Sequence, residues 1–376
     1  MIHRSLLIAV AAGVLFAGFL CLYLGYGRLH TVPPGASGFE FQPTNLGLSG
    51  IAVDSDGNVF ISAGKLNRIL EVSSTRQIRL VAGNGNLGFA GDGGPAPNGT
   101  LAQPMGIALD SERNLFVADM SNNRIRRIDA KTATIVTVAG NGILGGGIGD
   151  IATNSGLYAP ISVAIDEYGN LYVGGTRSPG IRRVDAITGV VSGVLGAGMP
   201  GAPWAEEPAA GPFWVAPGKA NELFIADLNR NTVSWLDVST DSIGVLAGSA
   251  TCGFTGDGEA AIGALLCFPE GMALGKDKRL FIADTGNNRI RAVDLAGGTI
   301  TTVAGNGEPR NFGDGGQAIN ASLSGPTAVA LDLDGNLYIA DAGNNCIRKV
   351  DAKTQTIATW ETAHDLASFV NQLRIR

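Results

Sequence analysis

A repeated pattern of 57 residues constrains the fold of this chain more than any other feature. Each copy contains four short runs of β-branched and aliphatic residues, and it reads G-I-A-x-D, N-L-F-I-A-D, N-N-R-I-R-x-V-D and T-V-A-G-N-G. The aligned positions in the fourth run, which lie 57, 57, 51, 57 and 57 residues apart, are Val81, Val138, Leu195, Leu246, Val303 and Trp360. Repetition at this period predicts six supersecondary units packed side by side.

Each unit is predicted to be a four-stranded antiparallel sheet. Asp, Gly and Asn separate the four runs, which is typical of strands joined by tight turns. The second run, such as 115–118, is apolar on successive residues, as expected where both faces of a sheet are covered. Six such sheets that close into a ring leave few free edges. The fold class is therefore predicted to be all-β, a six-bladed β-propeller over residues 45–360.

The repeat unit resembles the NHL repeat. The join G-N-G-x-x-G-F-x-G-D-G-G-P-A at 83–96 is similar to that of secreted bacterial NHL-repeat proteins and of the teneurin propeller. This resemblance implies NHL-type blades, but it specifies the fold much more than the function. Blades 1 and 6 each contain all four runs, so the ring is expected to close without a borrowed strand.

The N-terminal segment is predicted to be a membrane anchor. No charged residue occurs from Ser5 to Gly27, and about 20 apolar residues suffice to cross a bilayer. We predict one transmembrane helix in residues 1–28, a stalk at 29–44, and a single-pass protein with its propeller outside the cytoplasm. A cleaved signal peptide, giving a secreted or periplasmic protein, is the alternative. The tail at 361–376 has a sequence compatible with a helix.

The charge distribution argues against nucleic acid as a partner. All 33 acidic residues and 25 of the 27 basic residues lie after position 30, so the exported part is net negative. A nucleic-acid-binding surface is normally basic. The predicted partners are instead a protein, peptide or glycan outside the cytoplasm, and the membrane itself through the N-terminal helix.

Turns and crossovers that share one face of the propeller provide the first candidate site. In a meander, the turn between strands two and three and the crossover to the next blade emerge on the same side. The repeated turn aspartates, assigned to structural capping, are Asp119, Asp227, Asp284 and Asp341. The crossover aspartates, kept as binding candidates, are Asp92, Asp257 and Asp314, with Asp150 expected at the corresponding place in blade 3. Backbone capping is the alternative role for these residues also.

The crossover from blade 3 to blade 4 departs most from the repeat and provides the second candidate site. It replaces Gly-Asp-Gly with tryptophans beside carboxylates. Aromatic rings can stack on a sugar or hold a peptide, and charged groups can orient it. The predicted binding residues here are Arg177, Trp204, Glu206, Glu207 and Trp214. The alternative is a repeat that has lost its consensus and whose tryptophans only pack.

Cysteine and histidine usage limits the chemistry. Cys252 and Cys267 flank the crossover into blade 5 and are predicted to form a disulfide, which an exported location permits. His3 and His30 flank the predicted anchor, and the only other histidine is His364 near the C-terminus. Propeller lyases that rely on several histidines therefore do not fit.

The sequence favours binding over catalysis. We predict a membrane-tethered scaffold that binds its ligand through the loop-rich face and that needs no cofactor. Calcium bound by carboxylates remains an alternative. The alternative function is a metal-dependent hydrolase or lactonase of the gluconolactonase-like type, with oxygen ligands in the central channel.

Overall fold

The computed structural model describes residues 45–176, 180–196, 211 and 213–375, and these form six four-stranded antiparallel sheets. Blades 1 to 3 contain β1 (Leu48–Val53), β2 (Val59–Ala63), β3 (Arg68–Val72), β4 (Ile78–Ala82); β5 (Pro104–Leu109), β6 (Leu115–Asp119), β7 (Arg124–Ile128), β8 (Ile135–Ala139); β9 (Pro160–Ile165), β10 (Leu171–Gly175), β11 (Gly180–Val184) and β12 (Val191–Gly196). Blades 4 to 6 contain β13 (Phe213–Pro217), β14 (Glu222–Asp227), β15 (Thr232–Asp237), β16 (Ser242–Gly248); β17 (Pro269–Leu274), β18 (Arg279–Asp284), β19 (Arg289–Asp294), β20 (Ile300–Ala304); β21 (Pro326–Leu331), β22 (Leu337–Asp341), β23 (Cys346–Val350) and β24 (Ile357–Glu361). The predicted six-bladed propeller is confirmed.

The first strand of every blade lines a central channel. Strand β1 contacts β5 of blade 2 on one side and β21 of blade 6 on the other, so the ring closes between the first and last blades. Both of these blades have their own four strands, paired in chain order. Closure therefore needs no exchanged strand, as expected from the sequence.

The second strands carry much of the core, since both of their faces are covered by neighbouring blades. Every residue of β2, β6, β10 and β22 is buried. The fourth strands lie at the rim and are less buried, as in β24, where only the first and last of five residues are buried. This gradient explains why the second run is the most continuously apolar part of each repeat.

Glycine in the Ala-Gly-Asn-Gly motif is required by a close backbone approach. Gly83 has a φ of +87°, and a Cβ atom at this position would lie 2.2 Å from the carbonyl oxygen of Asn67. Gly140, Gly248 and Gly305 repeat this geometry in other blades. Any side chain would collide with the turn before the third strand, so the motif recurs for a steric reason.

The asparagine before the third strand links neighbouring blades. Its backbone is left-handed, with φ between 51° and 53°, at Asn67, Asn123, Asn231, Asn288 and Asn345. Its side-chain oxygen accepts a backbone N–H from the start of the next blade, as Asn288 does from Gly325 at 2.8 Å. Asn345 accepts the N–H of Leu46 at 2.9 Å and so closes the ring. The repeated Asn therefore serves the contacts between blades.

The C-terminal tail forms the helix α1 (Ala363–Ile375). Leu366, Ala367 and Val370 are buried in one hydrophobic cluster with residues of β1 and β2. The helix also contacts β4, the outer strand of blade 1. It therefore covers an edge of the propeller that a fourth strand would otherwise expose.

The predicted anchor at 1–28 and stalk at 29–44 lie outside the described residues. Within the part of the chain that the structure describes, no helix combines the length and apolar character needed to cross a bilayer. The 13-residue helix α1 is the longest helix there.

Candidate functional site

One face of the propeller carries the turns between the second and third strands together with the ends of the crossovers. In blade 2, Nδ2 of Asn122 donates a hydrogen bond to the carbonyl oxygen of Gly88 at 2.8 Å. Asn287 and Asn344 make the equivalent bonds in blades 5 and 6. The predicted shared face is therefore confirmed.

The Gly-Asp-Gly tips of the crossovers fold over the outer edge of the next blade. The N–H of Gly93 donates to the carbonyl oxygen of Ile135 at 2.8 Å, and Gly258 and Gly315 repeat this bond in blades 5 and 6. The crossovers thus extend from the loop-rich face onto the rim. We define the crossover surface as the surface formed by residues 83–103, 140–159, 248–268 and 305–325.

A buried arginine lies between two aspartates in three of the blades. In blade 2, Nη2 of Arg126 lies 2.7 Å from Oδ1 of Asp92, and Nη1 lies 3.3 Å from Oδ2 of Asp119. The side chains of Arg126 and Asp119 are fully buried. The equivalent Asp–Arg–Asp clusters are Asp257–Arg291–Asp284 and Asp314–Arg348–Asp341.

An aromatic ring covers two of these clusters. The ring of Phe89 lies 3.7 Å from the guanidinium carbon of Arg124 and 4.8 Å from that of Arg126. Phe254 covers Arg289 and Arg291 at the same two distances. The crossover thus supplies both a carboxylate and an aromatic face to each guanidinium, and each contact offsets part of the cost of its burial.

The turn aspartates accept backbone hydrogen bonds from the residues just before the first strand of their own blades. Oδ1 of Asp119 accepts the backbone N–H of Ala102 at 2.7 Å, and Asp284 and Asp341 make the same bond to their own first strands. Burial raises the pKa of Asp284 to about 6 against the opposing effects of its hydrogen bonds and of Arg291. Asp227 pairs instead with Arg230 at 3.3 Å. These contacts agree with the structural role predicted for the four residues.

The crossover aspartates also have protein partners. Oδ2 of Asp257 accepts a hydrogen bond from Oγ1 of Thr302 at 2.7 Å, while Oδ1 binds Arg291. Asp314 is bound in the same way by Arg348 and by the N–H of Thr359. These contacts favour the architectural alternative for Asp257 and Asp314, and a ligand-binding role for Asp92, Asp257 and Asp314 stays a prediction.

The crossover into blade 3 differs from the expected alignment. The N–H of Gly149 donates to Val191 as that of Gly93 does to Ile135, so Ile148 takes the place of Asp92. Asp150 takes the place of Gly94, and the expectation that it replaces the crossover aspartate is wrong. The reason is a one-residue deletion that lies before this point in the crossover.

Exposed apolar side chains concentrate on the crossover surface. Of the 15 large apolar residues exposed in the described part of the chain, ten lie there: Leu87, Phe89, Ile143, Leu144, Ile148, Ile151, Phe254, Ile262, Phe312 and Ile319. Four of the ten belong to the crossover into blade 3. Clustered exposed apolar groups mark interaction surfaces. In the sequence these residues are isolated or paired apolar residues within crossovers rich in Gly, Ala and Asn, so the repeat alignment did not single them out.

The predicted disulfide between Cys252 and Cys267 is present. It joins the start and end of the crossover into blade 5 across 15 positions, and the loop-entropy relation gives a gain of about 3 kcal/mol for a loop of this size. Cys346 is a free, buried cysteine, and burial raises the pKa of its thiol to about 12. A thiol of that kind is unreactive at neutral pH.

Trp214 lies in the central channel rather than on the crossover surface. Its side chain is buried and lines a cavity of ≈ 50 Å³, to which the first strand of each blade contributes two residues, Trp214 and Val215 in blade 4. Among the described residues, this lining includes no carboxylate or carboxamide side chain, and no group of three or more His, Cys, Asp or Glu is arranged to hold a metal ion.

The rest of the second predicted site lies outside the described residues. Arg177, Trp204, Glu206 and Glu207 belong to segments 177–179 and 197–210, which the structure does not describe. Their predicted role in binding stays a prediction. The buried position of Trp214 gives no support to its expected pairing with Trp204 around a ligand.

Two residues of interest escaped the sequence analysis. Arg182 of blade 3 keeps the arginine of the clusters in a blade that has lost their aspartates, and the repeated N-N-R-I-R motif contained that signal. Glu270 is buried beside Gly271 of the channel lining, and its Oε2 has no hydrogen-bond partner. In the sequence it was marked only as the one charged residue at a repeat position that otherwise holds Ser49, Met105, Ile161, Phe213 and Thr327.

Comparisons with known proteins agree with this architecture. The NHL repeat profile matches residues 266–292 and 323–350. NHL repeat-containing protein 2 of Homo sapiens is 30% identical over 314 residues, covering 78% of this chain and 37% of that protein. Teneurin-4 of Mus musculus is 26% identical over 402 residues, covering 93% of this chain and 14% of that protein. The chain thus spans less than half the length of these curated relatives.

A solved structure shows the same fold. A structural genomics protein of unknown function from Bacteroides thetaiotaomicron superposes with a TM-score of 0.60 at 16% identity, covering 83% of this chain and 69% of that one. The repeat matches, the relatives and the six four-stranded blades point to one family. The chain belongs to the NHL-repeat β-propeller family.

Proposed function

We propose that this chain is a membrane-tethered binding module whose crossover surface docks a protein partner outside the cytoplasm. The supporting observation is the concentration of exposed apolar side chains in the crossovers, above all Ile143, Leu144, Ile148 and Ile151. Large apolar groups exposed on a rigid scaffold are buried favourably by a partner, at about 25 cal/mol per Å². Loops held by such a scaffold commonly carry binding functions.

The hydrolase alternative has less support. It requires several carboxylate and amide oxygens that converge in the central channel. The described lining consists of glycine and apolar residues together with Ser162, whose hydroxyl donates to the carbonyl oxygen of Phe213 at 3.0 Å. The described channel lining therefore lacks the carboxylate and amide side chains that this chemistry needs, whereas the crossover surface offers exposed groups that a partner can cover.

The tether is tested by the state of the N-terminus in cells. We expect the full chain to stay in the membrane pellet after alkaline carbonate extraction, with an intact N-terminus by mass spectrometry, because the uncharged segment is long enough to span the bilayer. A Leu15→Arg/Phe16→Arg variant is expected to lose this retention. Recovery of a soluble protein that lacks the first segment would show that the signal is cleaved instead.

The binding surface is tested by photo-crosslinking from the full chain in its native host. A photoreactive residue at Ile143 or Ile148 is expected to give a discrete protein adduct. Matched probes at Tyr168 and Leu333, which are exposed in turns on the opposite face, are expected to give none.

Loss of apolar contact gives the second arm of this experiment. With the probe at Ile148, the Ile143→Ser/Leu144→Ser variant is expected to lower adduct yield about tenfold or more, since each buried large aliphatic side chain contributes about 1.5–3 kcal/mol. Equal adducts from both faces would refute a specific crossover surface.

A further inference from the structure

Blade 3 keeps the arginine of the Asp–Arg–Asp cluster but has lost both aspartates. Arg182 pairs in register with Val173, as Arg126 does with Val117. Gly175 stands where Asp119 stands in blade 2, and Ile148 stands where Asp92 stands. No hydrogen bond or ion pair joins Arg182 to any carboxylate of the described residues.

The other exceptional blades show compensation that blade 3 lacks. Blade 1 has Ala63 and Leu70 at the turn-aspartate and arginine positions, so its cluster is replaced by apolar packing. Blade 4 has Ser234 in place of the arginine, and Asp227 pairs with Arg230. Blade 3 alone among the described blades retains the cation after its anions have been removed.

The arginine of blade 3 is buried. Arg182 is 8% exposed. Its Nε has no hydrogen-bond partner, as in Arg126, Arg291 and Arg348, so what distinguishes Arg182 is the loss of the two carboxylates that bind Nη1 and Nη2 in those blades. Burial lowers the pKa of its guanidinium. A buried charge without a partner is costly, so its persistence calls for an anion from elsewhere.

Gly146 and Tyr158 lie next to this guanidinium. A Cβ atom on Gly146 would lie 3.6 Å from Nε of Arg182 and 3.6 Å from the ring of Tyr158. The deletion in this crossover removes the counterpart of Phe89, and among the described residues no aromatic ring lies over the guanidinium of Arg182 as Phe89 lies over that of Arg126. A Cβ atom on Gly175 would lie 2.2 Å from the carbonyl oxygen of Tyr158, so the backbone has closed over the place of the missing turn aspartate.

We propose that Arg182 is a binding site for a carboxylate that a partner peptide inserts next to the apolar crossover of blade 3. The intact clusters show the chemistry. In each of them, Nη2 of the arginine equivalent to Arg182 lies 2.6–2.8 Å from a crossover carboxylate oxygen. Ile148 lies at the vacant carboxylate position and is 63% exposed. A Glu or Asp flanked by aliphatic residues fits both features. This inference rests on the proposed function and names its partner chemistry.

The test measures peptide affinity by titration calorimetry on the full chain in detergent micelles. The probes are the capped peptides Ac-Leu-Glu-Leu-NH2 and Ac-Leu-Gln-Leu-NH2, with sodium acetate as a carboxylate that lacks apolar flanks. The Glu peptide is expected to bind at least about tenfold more tightly than the Gln peptide, because hydrogen bonds to charged groups contribute about 1.5–3 kcal/mol. Equal affinity for the two peptides, or for acetate and the Glu peptide, overturns the proposal.

Two variants and one control assign the effect to Arg182. Arg182→Met is expected to remove the preference for Glu, and Ile148→Asp is expected to weaken the Glu peptide about tenfold by restoring the carboxylate of blade 2. Arg183→Met is the control with the same charge change, since Arg183 pairs with Asp185 at 2.9 Å; it is expected to change affinity less than about twofold. Unchanged binding by Ile148→Asp contradicts the proposed geometry.

One further experiment tests whether a carboxylate of this chain, rather than of a partner, occupies the site at Arg182. If wild type does not bind the Glu peptide but the Glu206→Gln/Glu207→Gln variant does, the carboxylate comes from this chain and the proposal is overturned. The crosslinking experiment separates this failure from failure of the proposed function. A face-specific adduct that persists in Arg182→Met leaves the binding surface in place and removes only the acidic-peptide site.

Discussion

Replacement of Arg291 by methionine is expected to lower the free energy of unfolding by about 3–5 kcal/mol, because it leaves a buried carboxylate without its counter-ion. Asp284 is fully buried and loses the Nη1 contact at 3.5 Å, and Asp257 loses the Nη2 contact at 2.8 Å. The measurement is urea-induced unfolding of the full chain at pH 7.5, followed by circular dichroism. Methionine is chosen because its volume and flexibility keep the site filled.

The matched variant is Arg182→Met in blade 3. The same residue type at the same strand position is replaced, but no described carboxylate is left unpaired. This variant is expected to keep the stability of wild type or to gain about 1 kcal/mol, since it removes a buried charge that lacks a partner. Equal losses for the two variants would mean that the arginine acts through packing alone and not through its ion pairs.

The pH dependence of stability distinguishes loss of the ion pairs from loss of packing. Burial already raises the pKa of Asp284 to about 6, above its ordinary value of 3.8, and loss of Arg291 raises this pKa further. An acid with a raised pKa holds its proton longer in the folded state, so stability falls as pH increases from its unfolded to its folded pKa. The free energy of unfolding that Arg291→Met loses relative to wild type is therefore expected to be small near pH 4 and to grow above pH 6.

The fold was predictable because the repeat encodes it several times. Continuous apolar runs such as 115–118 specify strands covered on both faces, and Gly83 and Asn67 recur because one backbone approach recurs. Each copy confirms the alignment of the others, so the number of blades follows from spacing alone. The disulfide was predictable for a related reason, since both cysteines flank one crossover.

The candidate site was less predictable because it depends on three-dimensional placement. Trp214 stands beside a divergent crossover in sequence, yet its strand position directs it into the channel. A single deletion moves Asp150 out of the place of Asp92, and only the backbone pairing of Gly149 with Val191 shows this. Repeat alignment identifies corresponding residues only where no residue has been inserted or deleted, and it does not show which charges have lost their partners.

Replacement of Glu270 by glutamine is expected to raise the free energy of unfolding by about 3–5 kcal/mol above pH 8 and to change it little near pH 4. Glu270 is 5% exposed, its Oε2 has no partner, and burial raises its pKa to about 8 from 4.5. The folded protein therefore holds this proton over a pH range in which the unfolded chain has released it. The free energy of unfolding of wild type is therefore expected to fall as pH rises between these two pKa values. Glutamine cannot ionise, so the variant does not show this loss.

Urea unfolding of both proteins from pH 4 to pH 9 measures this difference directly. Asp284, Asp341 and Glu361 also have raised pKa values, and subtracting the wild-type curve removes contributions common to both proteins. The exposed Glu112→Gln is the control, and its curve is expected to follow wild type throughout. If the Glu270→Gln curve also runs parallel to wild type, Glu270 is ionised or solvated in the folded state. A rising difference centred between pH 4.5 and pH 8 instead identifies it as a protonated acid beside the channel, retained at the expense of stability.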